Sequence, residues 1–270
     1  STDGYKFEAL NNNEAVITQT KGTGCVRDPY ILKGPDENGK ECYFIIATDM
    51  NALDGWTSNH ALITWRSYDL INWTDETVID MRAFEGFETT NRAWAPQAIW
   101  DSEKEMYMVY WANSTLENDC AGHYYAYTKD FKTFESTPEI LFGRWNEKDP
   151  ETGEIRNVQC IDGDIVYNEK DGYYYMTYSP YGLGSRMYSL YMAVADNPFG
   201  PFIKVPEYSP NLGLDQSEPQ DYMAGTGHHS FVKVGDEMWC MYHYFFNPVN
   251  NNDDNGNFIG RIIGTDRIGW

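Results

Sequence analysis

The sequence predicts an all-β protein of the β-propeller type, and three observations support this fold class. Apolar residues at helical spacing are nearly absent, whereas short runs of aromatic and β-branched residues, broken by Gly, Asn, Asp and Pro, recur throughout. The runs repeat at constant spacing, with strands starting near residues 28, 95, 162 and 229, about 67 residues apart. Aromatic residues make up 16% of the 270 residues, which is ample for a buried core. Self-similarity at a fixed period with about four strands per unit is typical of a propeller.

Each repeat contains the same series of strands. A short apolar strand comes first, at Pro29–Leu32, Gln97–Trp100, Ile165–Tyr167 and Ser230–Val232. After a turn signal, a longer aromatic strand follows at Tyr43–Ile46, Met106–Trp111, Tyr173–Tyr178 and Met238–Tyr244. Three repeats continue with a further strand, at Ala61–Trp65, His123–Tyr127 and Leu190–Val194. These three end in related tails, at Asp69–Trp73, Asp130–Phe134 and Asn197–Phe202.

The first residues of the chain resemble the end of a blade. Ser1–Phe7 matches the tail around Asp69. We therefore expect one domain over residues 1–270, a five-bladed propeller whose first blade is incomplete because the chain is trimmed at its N-terminus. An ordinary strand that closes the ring is the alternative. The polar segments Asn146–Arg156 and Asn247–Asn257 are expected to be surface loops.

Charge and composition exclude several classes of partner. The formal net charge is −21, so the surface repels nucleic-acid phosphates and anionic lipids. No stretch approaches the roughly 18 consecutive apolar residues of a membrane span. The five cysteines lack metal-ligand spacing, which favours free thiols; one disulfide is the alternative. No signal segment begins at Ser1, so we expect a mature, secreted or periplasmic chain.

Four positions at the start of the innermost strands are equivalent in the repeat. They are Asp28, Pro96, Asp162 and the pair His228/His229. Innermost strands line the axis of a propeller, so these residues are expected to converge on one opening. Carboxylates there lose hydration, which is unfavourable unless they are partnered or used. Convergent carboxylates suit general acid–base chemistry, above all glycoside cleavage. Turn formation by Asp before Pro and by Asp-Gly-Asp is the structural alternative.

The residues around these positions resemble ordered motifs of glycoside hydrolase family 43. The matching segments read GCVRDPYI (24–31), WAPQ (94–97), IDGDI (161–165) and GTGHHSF (225–231), and DRIGW closes the chain. The family comprises five-bladed propellers that include α-L-arabinofuranosidases, β-xylosidases and endo-arabinanases. The resemblance covers residues 24–270, and the order of the four motifs makes it specific.

The resemblance implies a role for three of these residues. Asp28 is expected to be the general base that activates water. Asp162 is expected to be the second aspartate, which orients the acid and raises its pKa by like-charge proximity. The reaction is expected to invert the anomeric centre. His228 is implied to hold an axial calcium ion through water, and the chemistry itself is expected to require no cofactor.

The chain departs from the family pattern at two places. The second-blade motif ends in Gln97 where the family has an acidic residue, which we interpret as tuning of a substrate subsite. The Glu-Gly-Pro tripeptide that carries the family's general acid is absent. Three alternatives stay open for the acid. It is Asp162, if its blade is read as the fourth; it is Glu218, just before the histidine motif; or it has been lost.

The expected partner is a carbohydrate, because aromatic rings stack on the C–H faces of sugars. The residues expected to bind substrate are Tyr30, Trp94, Gln97, Asp164, Tyr181, Arg186, His228 and His229. Packing between blades is the alternative for most aromatic residues. The leading hypothesis is an exported glycosidase of arabinose- or xylose-containing plant polysaccharides. A carbohydrate-binding propeller without turnover and a protein-interaction propeller are the other two. Oligomeric state, sugar identity and exo or endo action stay open.

Overall fold

The computed structural model describes residues 6–148, 153–180, 188–205, 224–245 and 261–268. Within these ranges the regular structure is strand, apart from three short 3-10 helices at Leu10–Asn13, Ala52–Asp54 and Met81–Ala83. The predicted all-β class is therefore confirmed. In the described part of the chain, no helix has the length and apolar character needed to cross a membrane.

The repeats fold into antiparallel sheets in chain order. The first sheet contains β1 (Val26–Pro35), β2 (Glu41–Asp49), β3 (Ala61–Ser67) and β4 (Trp73–Asp80). The second contains β5 (Thr90–Asp101), β6 (Met106–Thr115), β7 (Gly122–Thr128) and β8 (Glu139–Phe142). After β9 (Arg144–Lys148) and β10 (Ile155–Val158), the third contains β11 (Cys160–Asn168), β12 (Tyr173–Pro180), β13 (Tyr191–Ala195) and β14 (Ile203–Lys204). The fourth contains β15 (Ala224–Val234), β16 (Glu237–Phe245) and β17 (Arg261–Ile268).

The described residues contain four blade-like sheets, one for each repeat, where the sequence predicted five blades. Of the N-terminal segment expected to complete a fifth blade, residues 6 and 7 are described and are not in a strand. Phe7 is 64% exposed, so it contributes no buried face on which a strand could pack. Ser1–Tyr5 lie outside the described residues.

The segment Asn146–Arg156 is not the simple surface loop that its polarity predicted. β9 and β10 pair there as a two-stranded sheet. The side chain of Asn157 accepts a hydrogen bond from the backbone N–H of Asn146 at 2.8 Å, and Arg144 pairs with Glu147 at 2.7 Å. Polar side chains are compatible with this pairing because both strands are mostly exposed. The second predicted loop, Asn247–Asn257, lies outside the described residues.

Contacts divide the chain into two compact units. The first contains Phe7–Asn157, and the second contains Val158–Trp270 together with the N-terminal residues up to Lys6. The core of the first unit is aromatic: Phe44 stacks on Phe131 with ring centroids 4.3 Å apart, and Tyr107 packs against both rings. Gly34 allows this packing, because a Cβ there would lie 2.1 Å from the Tyr107 hydroxyl oxygen. These contacts join the first two sheets into one hydrophobic core.

His123 is a buried titratable group in the first unit. Its side chain is fully buried, and neither ring nitrogen has a hydrogen-bond partner among the described residues. Burial lowers the pKa of His123 to about 3, because the charged imidazolium loses hydration. The folded protein therefore holds this histidine neutral, whereas the unfolded chain binds a proton below a pH of about 6.5.

We expect His123→Leu to reduce the acid sensitivity of folding. Because the folded-state pKa is depressed, the stability contributed by neutral His123 is full above pH 6.5 and is lost as the pH falls toward 3. Between pH 7.5 and 5.0 this loss amounts to about 2 kcal/mol. Urea unfolding at both pH values should show that the free energy of unfolding falls less for the variant than for the wild type. The difference between the two proteins at pH 7.5 gives the effect of the substitution on packing. Equal losses of unfolding free energy in the variant and the wild type between pH 7.5 and 5.0 would contradict the expectation.

Candidate functional site

One backbone feature recurs at the equivalent position of all four innermost strands. A residue other than glycine adopts a left-handed conformation there, with φ of 48° at Asp28, 46° at Ala95, 55° at Asp162 and 45° at His228. The pairing register shifts at each of these points, as in a β-bulge. Such a conformation is unfavourable for a side-chain-bearing residue, and bulges redirect side chains near functional sites. The second repeat places Ala95 at this position, which corrects the sequence-based choice of Pro96.

In the first unit, Asp28 is half-buried at the bulge of β1. The residue before it, Arg27, places its guanidinium carbon 5.1 Å from the ring centre of Trp56. Trp56 in turn meets Trp94 edge to face, with ring centroids 6.4 Å apart. Trp94 directly precedes Ala95, so these aromatic and basic side chains flank the repeated bulge positions of β1 and β5.

The bulge of β5 is fixed by side chains of the first sheet. The backbone N–H of Ala95 donates to the hydroxyl of Thr48 at 2.8 Å, and that of Ala93 donates to the side-chain carbonyl of Asn59. The amide nitrogen of Asn59 donates to the carbonyls of Asp49 and Ala61 at 3.0 and 2.8 Å. Two neighbouring sheets are therefore joined beside the candidate site by buried hydrogen bonds.

In the second unit, Asp162 lies in a hydrogen-bonded and aromatic environment. The residue is 8% exposed, and the hydroxyl of Tyr188 donates a hydrogen bond to Oδ2 of Asp162. Nδ1 of His228 lies 3.6 Å from Oδ1. The hydrogen bond donated by Tyr188 favours the ionised carboxylate. This arrangement suits a fixed negative charge.

Tyr188 is held in place by its neighbours. Its ring stacks on His243 with centroids 5.8 Å apart and planes within 8°. A Cβ at Gly227 would lie 2.5 Å from the Tyr188 ring and 2.8 Å from the Ser179 hydroxyl. Glycine at this position therefore permits the close approach of β15 to Tyr188, and with it the hydrogen bond to Asp162.

Several other predicted substrate-binding residues are engaged within the sheets. Gln97 is buried and accepts from the Tyr110 hydroxyl at 3.3 Å, and Tyr30 packs against the core of the first unit. Asp164 is buried and accepts from the backbone N–H of Phe231 at 2.8 Å, which joins β11 to β15. His229 is buried and bonds to the Thr177 hydroxyl through Nε2. The position of Tyr30 matches the packing alternative given for the aromatic residues, and a role of all four residues in binding substrate stays a prediction.

Three predicted site residues lie outside the described part of the chain: Glu218, Tyr181 and Arg186. Conversely, four residues that the structure places near the repeated bulges were not predicted from the sequence. Tyr188, Arg27, Trp56 and His243 were not singled out as site residues, although Arg27 stands within a quoted motif and His243 within a predicted aromatic strand. No periodic signal identifies Tyr188 or Trp56, because both lie in connections between strands.

The calcium ion that the resemblance implied near His228, held through water, stays a prediction. The described residues contain no group of three or more His, Cys, Asp or Glu side chains placed to hold a metal ion directly. We therefore assign no step to a metal ion.

Comparisons with known proteins identify the class of the chain. A family model described as a probable glycosyl hydrolase domain matches residues 1–244. An α-L-arabinofuranosidase of Bifidobacterium longum subsp. longum is 30% identical over 196 residues, which are 64% of this chain and 17% of the relative. The chain thus spans less than a fifth of that curated protein. It belongs to glycoside hydrolase family 43, as its four motifs predicted.

Solved structures share the fold. An α-L-arabinofuranosidase from Lactobacillus brevis matches with a TM-score of 0.62 and 17% identity, over 91% of this chain and 73% of that one. The α-L-arabinanase of Cellvibrio cellulosa, solved with arabinohexaose, matches with a TM-score of 0.61 and 14% identity, over 92% and 75%. At these identities the likeness concerns the fold, and it supports the propeller class predicted from the repeats.

Proposed function

We propose that the chain is an inverting glycosidase acting on arabinose- or xylose-containing plant polysaccharides or oligosaccharides. The observation that carries the proposal is the repeated left-handed bulge, which makes Asp28 and Asp162 structural equivalents two repeats apart. Both are aspartates at strained backbone positions, where functional residues are often found. The names of the relatives favour arabinose over xylose.

The proposed mechanism uses two carboxyl groups with different protonation states. Asp28 accepts a proton from water as the water oxygen attacks the anomeric carbon. A protonated carboxyl group donates its proton to the leaving oxygen as the glycosidic bond breaks, so protons balance over the reaction. Asp162 is held ionised by Tyr188 and acts by orienting this acid and raising its pKa. Glu218 is our candidate for the acid.

The domain organisation, localisation and partners of the protein are part of the same proposal. We infer a single catalytic domain with the five-bladed architecture of the family, in an exported protein whose partner is a carbohydrate. The surface charge of −21 disfavours nucleic acid and anionic membranes as further partners.

Turnover of defined substrates tests the proposal. Aryl α-L-arabinofuranosides, aryl β-D-xylosides and the corresponding oligosaccharides should be assayed, with the first anomer of the product read by proton NMR. Hydrolysis with inversion is the expected result. Retention, or no product from any substrate, would remove the proposed reaction.

A second candidate is a carbohydrate-binding propeller without turnover. The missing Glu-Gly-Pro tripeptide favours it, because the family's usual acid is absent from the sequence. This candidate predicts binding of oligosaccharides by calorimetry with no release of reducing ends. Product formation above the level of an Asp28→Asn variant would eliminate it.

Tyr188→Phe tests the role of the buried hydroxyl beside Asp162. The change removes the hydrogen bond that favours the ionised carboxylate but keeps the ring that stacks on His243. We expect kcat/KM to fall by about 10- to 100-fold and the acid limb of its pH profile to move to higher pH. Tyr125→Phe, which removes a hydroxyl bonded to Glu139 in the other unit, is the control. An unchanged pH profile would contradict the assigned role.

A further inference from the structure

We propose that Trp56 forms, with Arg27 and Trp94, a carbohydrate-stacking subsite for a sugar unit beyond the one that is cleaved. We call these three side chains the Trp56 platform. The inference deepens the proposed function and rests on it, because the ligand class is the oligosaccharide that the proposed hydrolase cleaves. Trp56 itself lies outside the four repeated positions.

Exposure and packing both point to a binding role for Trp56. The residue is 57% exposed, which is unusual for the largest apolar side chain, yet it is packed by two neighbours. Trp94 meets it at an interplanar angle of 83°, and the Arg27 guanidinium lies over its ring. An exposed indole of fixed orientation offers a flat surface for the C–H face of a pentose ring.

The loop that carries Trp56 is fastened at several points. Asn51 accepts from the backbone N–H of Leu53 at 3.1 Å, and the Ser58 hydroxyl donates to the carbonyl of Gly55 at 2.7 Å. At its end, buried Asn59 bonds to both flanking strands and to β5. A loop positioned before the ligand arrives loses less conformational entropy on binding.

Polar groups for sugar hydroxyls lie on the same platform. Among the residues that the structure describes, Arg27 has no carboxylate partner, although the chain carries 41 acidic residues. Arg27 directly precedes Asp28 in β1, so the platform and the proposed general base belong to the same strand.

Chain-length dependence of binding tests the platform without turnover. The dissociation constants of arabino- and xylo-oligosaccharides of one to five units should be measured by calorimetry on Asp28→Asn and on Asp28→Asn/Trp56→Ala. We expect affinity to rise with chain length in the first protein and to be about tenfold lower for the longer ligands in the second. Trp56→Phe should retain part of the gain. Trp100→Ala, which removes a 41% exposed tryptophan of β5, is the matched control and should change nothing.

The outcomes separate the platform from the proposed reaction. Equal length dependence with and without Trp56 overturns the platform, even if the wild type hydrolyses the same oligosaccharides. Trp56-dependent binding without any hydrolysis supports the platform and overturns the hydrolase. Failure of every oligosaccharide to bind overturns both. Thermal unfolding of each variant shows that the folded protein was measured, and the phenylalanine variant replaces the alanine variant if the latter does not fold.

Discussion

Asp28→Asn is expected to lower kcat/KM for aryl arabinofuranosides or xylosides by at least about a thousandfold, because asparagine cannot accept a proton from water. The backbone is expected to tolerate the change, since Asn, like Asp, accepts the left-handed conformation observed at this position. The melting temperature should therefore stay close to that of the wild type. Asp236→Asn, an exposed aspartate in the β15–β16 turn, is the control. A wild-type rate in Asp28→Asn would remove the assigned base.

Asp162→Asn and Glu218→Gln are expected to differ in the alkaline limb of the pH profile of kcat/KM. Asp162 orients the acid and raises its pKa, so Asp162→Asn should keep the proton donor, slow substrates with poor leaving groups by roughly a hundredfold, and move the alkaline limb to lower pH. Glu218, as the proposed proton donor, should matter most for natural sugar leaving groups and little for dinitrophenolate, which departs without a proton.

A series of aryl glycosides with leaving groups of decreasing pKa, compared with an oligosaccharide over a range of pH, measures these effects. If Asp162→Asn abolished the alkaline limb and spared only the best leaving groups, Asp162 would be the acid. If Glu218→Gln behaved as the wild type on every substrate, Glu218 would have no part in proton transfer. Both variants are near-isosteric, so effects on folding should be small.

The repeats made most of the fold predictable from sequence. The aromatic strands at Tyr43–Ile46 and Met106–Trp111 lie within β2 and β6, because runs of aromatic and β-branched residues recur at a spacing that can be counted. The same counting located the bulge positions to within one residue. It misplaced the second one by one residue, at Pro96, whereas the left-handed residue is Ala95.

The contacts around the site were less predictable. The bond from Tyr188 to Asp162 joins residues of different strands and loops, and no spacing rule relates them. Trp56 stands in a loop of mixed composition, where an indole carries no periodic signal. The β9–β10 pairing was missed because polar strands that stay exposed look like loops in sequence. Such features follow from tertiary packing, which a local pattern does not record.

The left-handed bulge has a consequence for how such a protein diversifies. Because the first strand of each of the four described sheets bends at the same point, the sheets offer four positions with nearly the same backbone conformation. Two of these positions carry aspartate, one carries histidine and one carries alanine. Ala95 has no reactive side chain, so it is where a new reactive group is most simply introduced without rebuilding a sheet.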